Sequence, residues 1–372
     1  MNELQTTVRS LLDQQSSSAR VRAVVADPAG FDRDLWVQMV ELGWTTIHVA
    51  EAHGGAGYGY ADLAVVLHEL GRAVTPSPFL ASAVLASGAL ALADNEDVAH
   101  EALARLAAGE ALGAVALTGA DGSPDLSRLT LEWRREGGAV RLDGVSGFVL
   151  DADLADVLVV AARDEAGTVA ALAVDARTPG IEVVHTPTVD QTRRLFRVTI
   201  DGVTVDEDRH LCIPGPEAED LLERVLALGV VAAACDAVGT AERAMDGAAA
   251  YAKDRMQFGR PIGSFQAVKH HCADMAIAVE AGRAATRAAA EVLDGDPSAW
   301  ATTAAVTSSY VGPAASNACD LALRVHGGIG FTWEHDAHLL LKRAKLDEVL
   351  FGTPSWHRRR LADAVFPPLA VS

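Results

Sequence analysis

The chain has 372 residues, half of them hydrophobic, which is long enough for two or three domains with a substantial core. Its 50 acidic and 31 basic residues give a formal charge of -19. That balance argues against nucleic acid or an anionic membrane as the main partner, since both attract basic surfaces. The first residues, MNELQTTVRSLLDQQ, read as a polar amphipathic helix without an apolar signal core. No stretch approaches the ~18 uninterrupted apolar residues of a membrane span, so the expected location is the cytoplasm.

In chain order, residues 1–110 show helical periodicity in FDRDLWVQMVELGW, YADLAVVLHELGRAV and FLASAVLASGALALA, separated by the turn-formers HGGAG and TPSP. This zone predicts an N-terminal helical bundle. Residues 111–210 change to short β-type runs: GAVALTG, LTLEWRR, AVRLDG, DVLVVAA, TVAALAVD, IEVVHT and FRVTIDGV. Their spacing predicts a small sandwich or barrel. The prolines and acids of IPGPEAED suit a helix start, and residues 211–372 then turn alanine-rich and helical, which permits the close packing of a four-helix bundle. The predicted fold is mostly α with a central β-domain.

One stretch interrupts the last zone. In RMQFGRPIGSFQAVKHH, residues 255–271, Pro261 lacks an amide donor and Gly259 and Gly263 lack a Cβ, so the helix is expected to break there. The break would present Arg255, Phe258 and Gln266 to a partner; the alternative is an inter-helix turn carrying a surface arginine.

YAKDRMQFGRPIGSFQAVKHHCADM resembles the signature of the flavin-dependent acyl-CoA dehydrogenases. RVHGGIGFTWEHDAHLLLKRAK (324–345) and VAEAHGGAGYGYADLAVVLHELGR (49–72) agree, so the resemblance spans nearly the whole chain. It implies the helix, β, helix order, bound FAD, and α,β-dehydrogenation of an acyl-CoA thioester. It also implies a homo- or hetero-oligomer and an electron-transfer flavoprotein as redox partner. The motif versions resemble an actinobacterial branch, much of which acts on bulky acyl-CoA esters, including steroid side chains, often as paired unlike subunits.

The resemblance also implies site residues. Arg255, Phe258 and Gln266 would reach the adenosine and pyrophosphate half of FAD held by a neighbouring subunit. Arginine suits a diphosphate and phenylalanine can pack on a ring. Gly327 and Gly328 of HGGIG would let backbone approach the same cofactor, with Arg324 standing where the family usually has glutamine. In the β zone, Thr118 of TGADGSPD (118–125) and Phe148 of GFVLDAD are the expected flavin contacts, although Leu150 stands where the family has threonine. No metal is expected; the histidines, including His326, His335 and His338, read as hydrogen-bonding groups.

The base is the largest departure. Where the family usually reads YEGTS, this chain has LFGTPSW: Phe351 replaces the glutamate, while Gly352 and Thr353 match and Thr353 is assigned to the cofactor site. Some relatives place the glutamate ten residues before the glycine that here is Gly239, but that position is Gly229. Asp236, flanked by alanine, cysteine and valine, is the candidate base, since burial raises the pKa of a carboxyl; the alternative is an aspartate bonded to a neighbouring helix or an arginine. Asp347 and Glu348 are expected to pair with Lys342, Arg343 or Lys345. The basic run WHRRR (356–360) is expected at a helix end favoured by the helix dipole. Two functions remain open: an active dehydrogenase with a relocated base, or a non-catalytic partner subunit supplying half of an FAD site.

Overall fold

A computed structural model describes residues 3–366. The N-terminal elements are α1 (Glu3–Gln15), α2 (Ser18–Ala26), α3 (Arg33–Glu41), α4 (Tyr60–Ala73), a π-helical turn (Phe79–Ala86), α5 (Ser87–Ala91) and α6 (Glu96–Ala107). Strands follow: β1 (Gly113–Ala116), β2 (Leu131–Glu136), β3 (Ala139–Leu150), β4 (Val157–Arg163), β5 (Val169–Asp175), β6 (Ile181–Thr186) and β7 (Leu195–Asp206). The remainder is helical: α7 (Pro216–Asp254), a hairpin of β8 (Met256–Gln257) and β9 (Arg260–Pro261), α8 (Gln266–Leu293), α9 (Trp300–His326), α10 (Ala337–Asp347) and α11 (Pro354–Val365). Each β-type run in the sequence forms one strand, and Pro216 opens α7, where its missing N–H costs nothing.

Compactness groups these elements into two units, residues 1–28, 60–76 and 230–372 in one and residues 29–59 and 77–229 in the other. In the second unit the strands run β1-β4-β2-β3-β7-β6, with β5 added antiparallel on β4. Every residue of β1 is buried, and an added Cβ on Gly113 would fall 2.4 Å from the Ala86 methyl, so only glycine lets the strand lie against the π-helical turn. Alternate residues of β2, β3 and β7 converge with β4 and β5 on one apolar core that includes Leu131, Trp133, Leu142, Leu158, Leu172 and Val198.

The first unit is built around a crossing of α4 and α7 at van der Waals limits. A Cβ on Gly71 would stand 2.0 Å from the Asp236 carbonyl oxygen, and a Cβ on Gly239 would stand 1.8 Å from that of His68. Both distances are impossible for a real side chain, so the two helices touch backbone to backbone only because both residues are glycine. Thr240 Oγ1 donates to the Gly71 carbonyl at 3.0 Å beside the contact. Ala237, Ala241, Ala244 and Ala248 of α7 then meet Met275 and Val279 of α8 and Ala315, Ala318 and Ala322 of α9 in one core.

The same crossing brings charges together. Arg9 of α1 grips buried Glu69 of α4 through Nε and Nη2, both at 2.8 Å. Glu242 of α7 receives His68 Nε2 at 2.6 Å and Arg283 Nη2 at 2.9 Å. Burial pushes the Glu242 carboxyl upward, but the His68 hydrogen bond and the charges of His68, Arg283 and Arg9 outweigh it and hold the group at about 2. α1 is therefore docked by Arg9, which pairs with Glu69 of α4 and reaches Glu242 of α7 at 3.4 Å.

Replacing Gly239 by alanine forces a methyl into the His68 carbonyl. Such overpacking costs about 1–3 kcal/mol or more, so Gly239→Ala is expected to lower the thermal midpoint clearly, whereas Gly247→Ala, with open space at its Cβ, should leave it unchanged or raise it. Equal midpoints for the two variants would contradict the crossing.

Candidate functional site

The expected helix break is present and has a defined geometry. α7 stops at Asp254 and a two-residue hairpin turn follows, with Phe258 at φ +52° and Gly259 at φ +76° between β8 and β9. Consecutive left-handed residues match the right-handed twist of a tight hairpin, but the first normally belongs to asparagine or glycine. A phenylalanine there is strained by an amount of order 1–3 kcal/mol. Its ring is also 92% exposed, so the strain gains no burial within the chain. Phe265 meets it edge-on at 6.0 Å and is covered on its own face by Arg260 at 4.2 Å.

Arg255 precedes the hairpin and fixes it by backbone alone: its N–H donates to the Tyr251 carbonyl and its carbonyl accepts from Ile262. Its exposed guanidinium has no ion pair among the described residues. Gln266, also exposed, is the first residue of α8. The segment thus offers a cation, a flat apolar ring and an amide, with no ion pair on the cation among the described residues and the ring touched only at its edge by Phe265. That set fits a nucleoside diphosphate, which needs charge-assisted donors at the phosphates and a surface for its ring.

Gly327 ends α9 at φ +64°, and neither it nor Gly328 has any atom within 4 Å of an added Cβ, so this backbone faces open space. Arg324 departs from the picture of an uncommitted phosphate ligand: its guanidinium is tied to Asp320 one turn earlier, at 2.8 Å. Thr353 caps α11, its hydroxyl accepting from Trp356 N–H at 3.2 Å.

In the sheet unit, the Thr118 hydroxyl is buried and donates to the Gly147 carbonyl, and Ser146 Oγ donates back to the Thr118 carbonyl at 2.9 Å. The hydroxyl therefore locks the end of β1 to β3. Phe148 sits at a bulge of β3 with φ +56° and half-exposed, and its ring lies where a Cβ on Gly122 would be, 2.5 Å away. The ring thus rests on the 118–125 loop, and Leu150 is buried in place of the hydroxyl seen in the family.

Among the candidate bases, Asp236 is 2% exposed, as its apolar neighbours indicated. Both oxygens are occupied by one guanidinium: Arg343 Nε reaches Oδ1 at 2.9 Å and Nη2 reaches Oδ2 at 2.8 Å. This is the arginine-paired alternative, and a bidentate pair favours the anion, which opposes the uptake of a proton that a base requires. Asp347 approaches the same Arg343 at 4.0 Å, and Glu348 pairs with Lys345 at 3.0 Å, as i,i+4 and i,i+3 spacing predicts. Phe351 is 7% exposed and packs with Val230, Ala233, Ala234 and Ala237 of α7 and Gly312 of α9 around a gap of 10 Å³, space for about one water at most. His357 Nε2–H donates to the Phe351 carbonyl at 3.0 Å, and burial lowers this imidazole to about 4, so the ring is neutral and structural.

Sequence reading missed Arg343 as the partner of Asp236. The available signal was a buried acid in an alanine run, which requires a cation from another element. One expectation is corrected: WHRRR lies in the first two turns of α11, where the helix dipole disfavours cations. Arg360 instead covers the Trp356 ring at 4.6 Å. All four cysteines are free, and burial with the Asp236 charge pushes Cys235 up to about 12. Among the described residues no cluster could hold a metal ion and no helix is long and apolar enough to cross a membrane.

Residues 1–110 match the model of the acyl-CoA dehydrogenase N-terminal domain and residues 220–366 that of the C-terminal domain. Acyl-CoA dehydrogenase IpdE2 of Mycobacterium tuberculosis is 35% identical over 364 residues, 98% of this chain and 96% of its own. Among solved structures, the Tcur3481-Tcur3483 steroid ACAD superposes with a TM-score of 0.87 at 29% identity, covering 98% of this chain and 96% of the other. The ChsE4-ChsE5 complex of M. tuberculosis superposes with a TM-score of 0.87 at 27% identity, covering 99% of each chain.

If the Asp236–Arg343 pair is a structural clamp, Arg343→Leu should destabilise strongly, because an unpaired buried carboxylate costs about 3–5 kcal/mol. The double variant Asp236→Leu/Arg343→Leu should recover most of that loss in a denaturant titration. A double variant as unstable as the single one would show that the pair is not the main source of the effect.

Proposed function

Because the chain belongs to the acyl-CoA dehydrogenase family, whose members are FAD-dependent oxidoreductases acting on CH–CH bonds, we propose that it is the non-catalytic partner subunit of a heteromeric acyl-CoA dehydrogenase. It would supply a nucleotide half-site and scaffold to an unlike sister chain that carries the base. The observation that carries this reading is the state of the two positions able to serve as base. Phe351 itself has no proton acceptor, the carboxylates lining the gap beside it, Asp347 and Glu348, are paired with Arg343 and Lys345, and Asp236 has both oxygens clamped by Arg343.

α,β-Dehydrogenation requires a carboxylate to remove the weakly acidic α-proton, and FAD, when bound, would supply the hydride acceptor for the β-carbon. This chain's residues serve the binding half of that task. Arg255 offers a charge-assisted contact to a diphosphate, the exposed Phe258 ring a platform for a base, Gln266 an amide, and Gly327–Gly328 a backbone that a ligand can approach closely. Thr118 and Phe148 fit an isoalloxazine ring less well, since the hydroxyl is committed to Gly147 and the phenyl ring to the loop above Gly122. Arg324 joins the half-site only by leaving Asp320, and Thr353 contributes backbone while its hydroxyl caps α11.

The substrate of the pair would be a branched or ring-bearing acyl-CoA, with an electron-transfer flavoprotein as oxidant; likeness to the steroid ACAD structures supports the bulky acyl group. The second reading, an active subunit with Asp236 as base, would require the carboxylate to leave a buried bidentate arginine before each turnover.

The decisive experiment is to purify the chain alone and with an unlike acyl-CoA dehydrogenase chain from the same source, counting flavin and assaying dehydrogenation. Flavin should be retained, and activity found, only in the pair; full flavin and turnover in the isolated chain would refute the proposal. In the pair, Arg255→Ala should weaken flavin retention by about 1.5–3 kcal/mol, the worth of a hydrogen bond to a charged group. Asp236→Asn should lower stability yet leave turnover per folded complex within about twofold, where loss of a true general base would cost ~10²–10⁴-fold.

A further inference from the structure

The proposed function leaves unused a groove of 600 Å³ in the first unit, lined by the C-terminal halves of α7 and α9, the segment before α10, and Ser18. Gly247, Ala250, Ala322 and Ala337 keep its floor low. One wall is a ladder of three rings, Tyr251 to His326 at 4.9 Å and His326 to His335 at 4.3 Å. His326 is only 6% exposed, and its Nδ1 stands 2.7 Å from the Ala322 carbonyl oxygen. A carbonyl can only accept, so Nδ1 carries the proton and Nε2 is a bare acceptor. No donor among the described residues reaches Nε2.

The charged lining is unbalanced. Asp246, Asp254, Glu334 and Asp336 face one cation, Arg243. Asp336 already holds Arg22 and Ser18, and Asp246 lies 3.7 Å from Arg72. Asp254 and Glu334 have no ion pair among the described residues, although hydrogen bonds from its own backbone and from Thr332 and the nearby charge of Arg22 hold the Glu334 carboxyl below its usual range. Arg243 is exposed at the groove edge, where its long stem can keep the guanidinium in water. The groove therefore lacks a group that donates to a bare imidazole nitrogen, carries positive charge for two carboxylates, and lies flat against rings. A phosphate or carboxylate would meet like charge and could not donate to Nε2. An ammonium has the charge but not the plane. A guanidinium has N–H donors on every edge, no acceptor, and a face that stacks on aromatic rings.

We propose that this groove receives the arginine side chain of a partner polypeptide. A protein source fits the rim better than a free metabolite does. Phe331 and Trp333, 72% and 65% exposed, stand beside Glu334 on the segment leading into the groove, and exposed aromatic residues next to a pocket are the usual anchors of protein interfaces. Trp333 already holds one cation, Lys342 Nζ at 4.7 Å from its ring centre. The net charge of -19 also favours a basic partner segment. This assignment does not depend on which subunit carries the catalytic base.

The test uses the full chain and three probes in calorimetric titrations: acetyl-Leu-Arg-Leu-amide, its citrulline analogue, and agmatine. The arginine peptide should bind, and the citrulline peptide, equal in shape but uncharged, should bind at least about tenfold more weakly, since a charge-assisted pair is lost. Asp254→Asn/Glu334→Gln should weaken the arginine peptide similarly; both positions are exposed, and an unchanged melting profile will show that the fold is intact. A separate variant, His326→Phe, keeps a ring but removes the acceptor and should also weaken the peptide. Absence of arginine-peptide binding, equal binding of the citrulline peptide, or indifference to the double variant would each overturn the site. Agmatine binding more tightly than the peptide would overturn the polypeptide source.

Discussion

The backbone contact between α4 and α7 at Gly71 and Gly239 is the constraint on which the first unit depends. Because the two helices meet without intervening side chains, the residues flanking the crossing are carried into fixed relations. His68 and Glu69 reach Glu242 and Arg9 on one side. On the other, Asp236 lies beside the contact and is held by Arg343 from α10. An alanine-rich α7 would pack against several partners with little discrimination. The glycine pair and the ion pairs around it select one depth and one rotation, since any slip would place a Cβ in a carbonyl or leave a buried charge unpaired.

Much of this was legible in the chain. The change from helical periodicity to short β-type runs located the strands of the sheet, and the cluster of Gly259, Pro261 and Gly263 located the break after α7 because those residues alter backbone options locally. The ion pairs of Asp347 and Glu348 followed from their spacing on a helix. The partner of Asp236 was not legible, since Arg343 lies 107 residues away and only tertiary packing joins them. The basic run at 356–360 was placed at the wrong end of a helix because composition identifies a helix terminus less surely than a cap does; Thr353 and Pro354 were the better signal, as they begin α11.

On the proposed reading, the candidate site would divide one reaction between two chains of a shared fold. The groups proposed to bind a nucleotide sit on a strained hairpin and an open glycine loop, exposed rather than packed into the interior. Groups that would do chemistry have been absorbed by it: the Phe351 position into apolar packing, Asp236 into a clamp, and the Thr118 hydroxyl into a strand junction. A carboxylate that stabilises a fold is useful when its charge is constant, whereas a base must change charge every turnover. The bidentate arginine imposes the first condition on Asp236 and so works against the second.

Phe258 has a further consequence for how the chain can vary. Its left-handed backbone and exposed ring make it unfavourable for the isolated chain in two ways, and a glycine or asparagine would relieve both. Random drift filtered only for folding would therefore erode the ring, while a contact across which the ring gains burial would oppose that erosion. If Phe258 makes the proposed contact, the hairpin tip would place thermostability and complex formation in conflict at a single codon, so sequences optimised for the free subunit would move away from those suited to the assembled one.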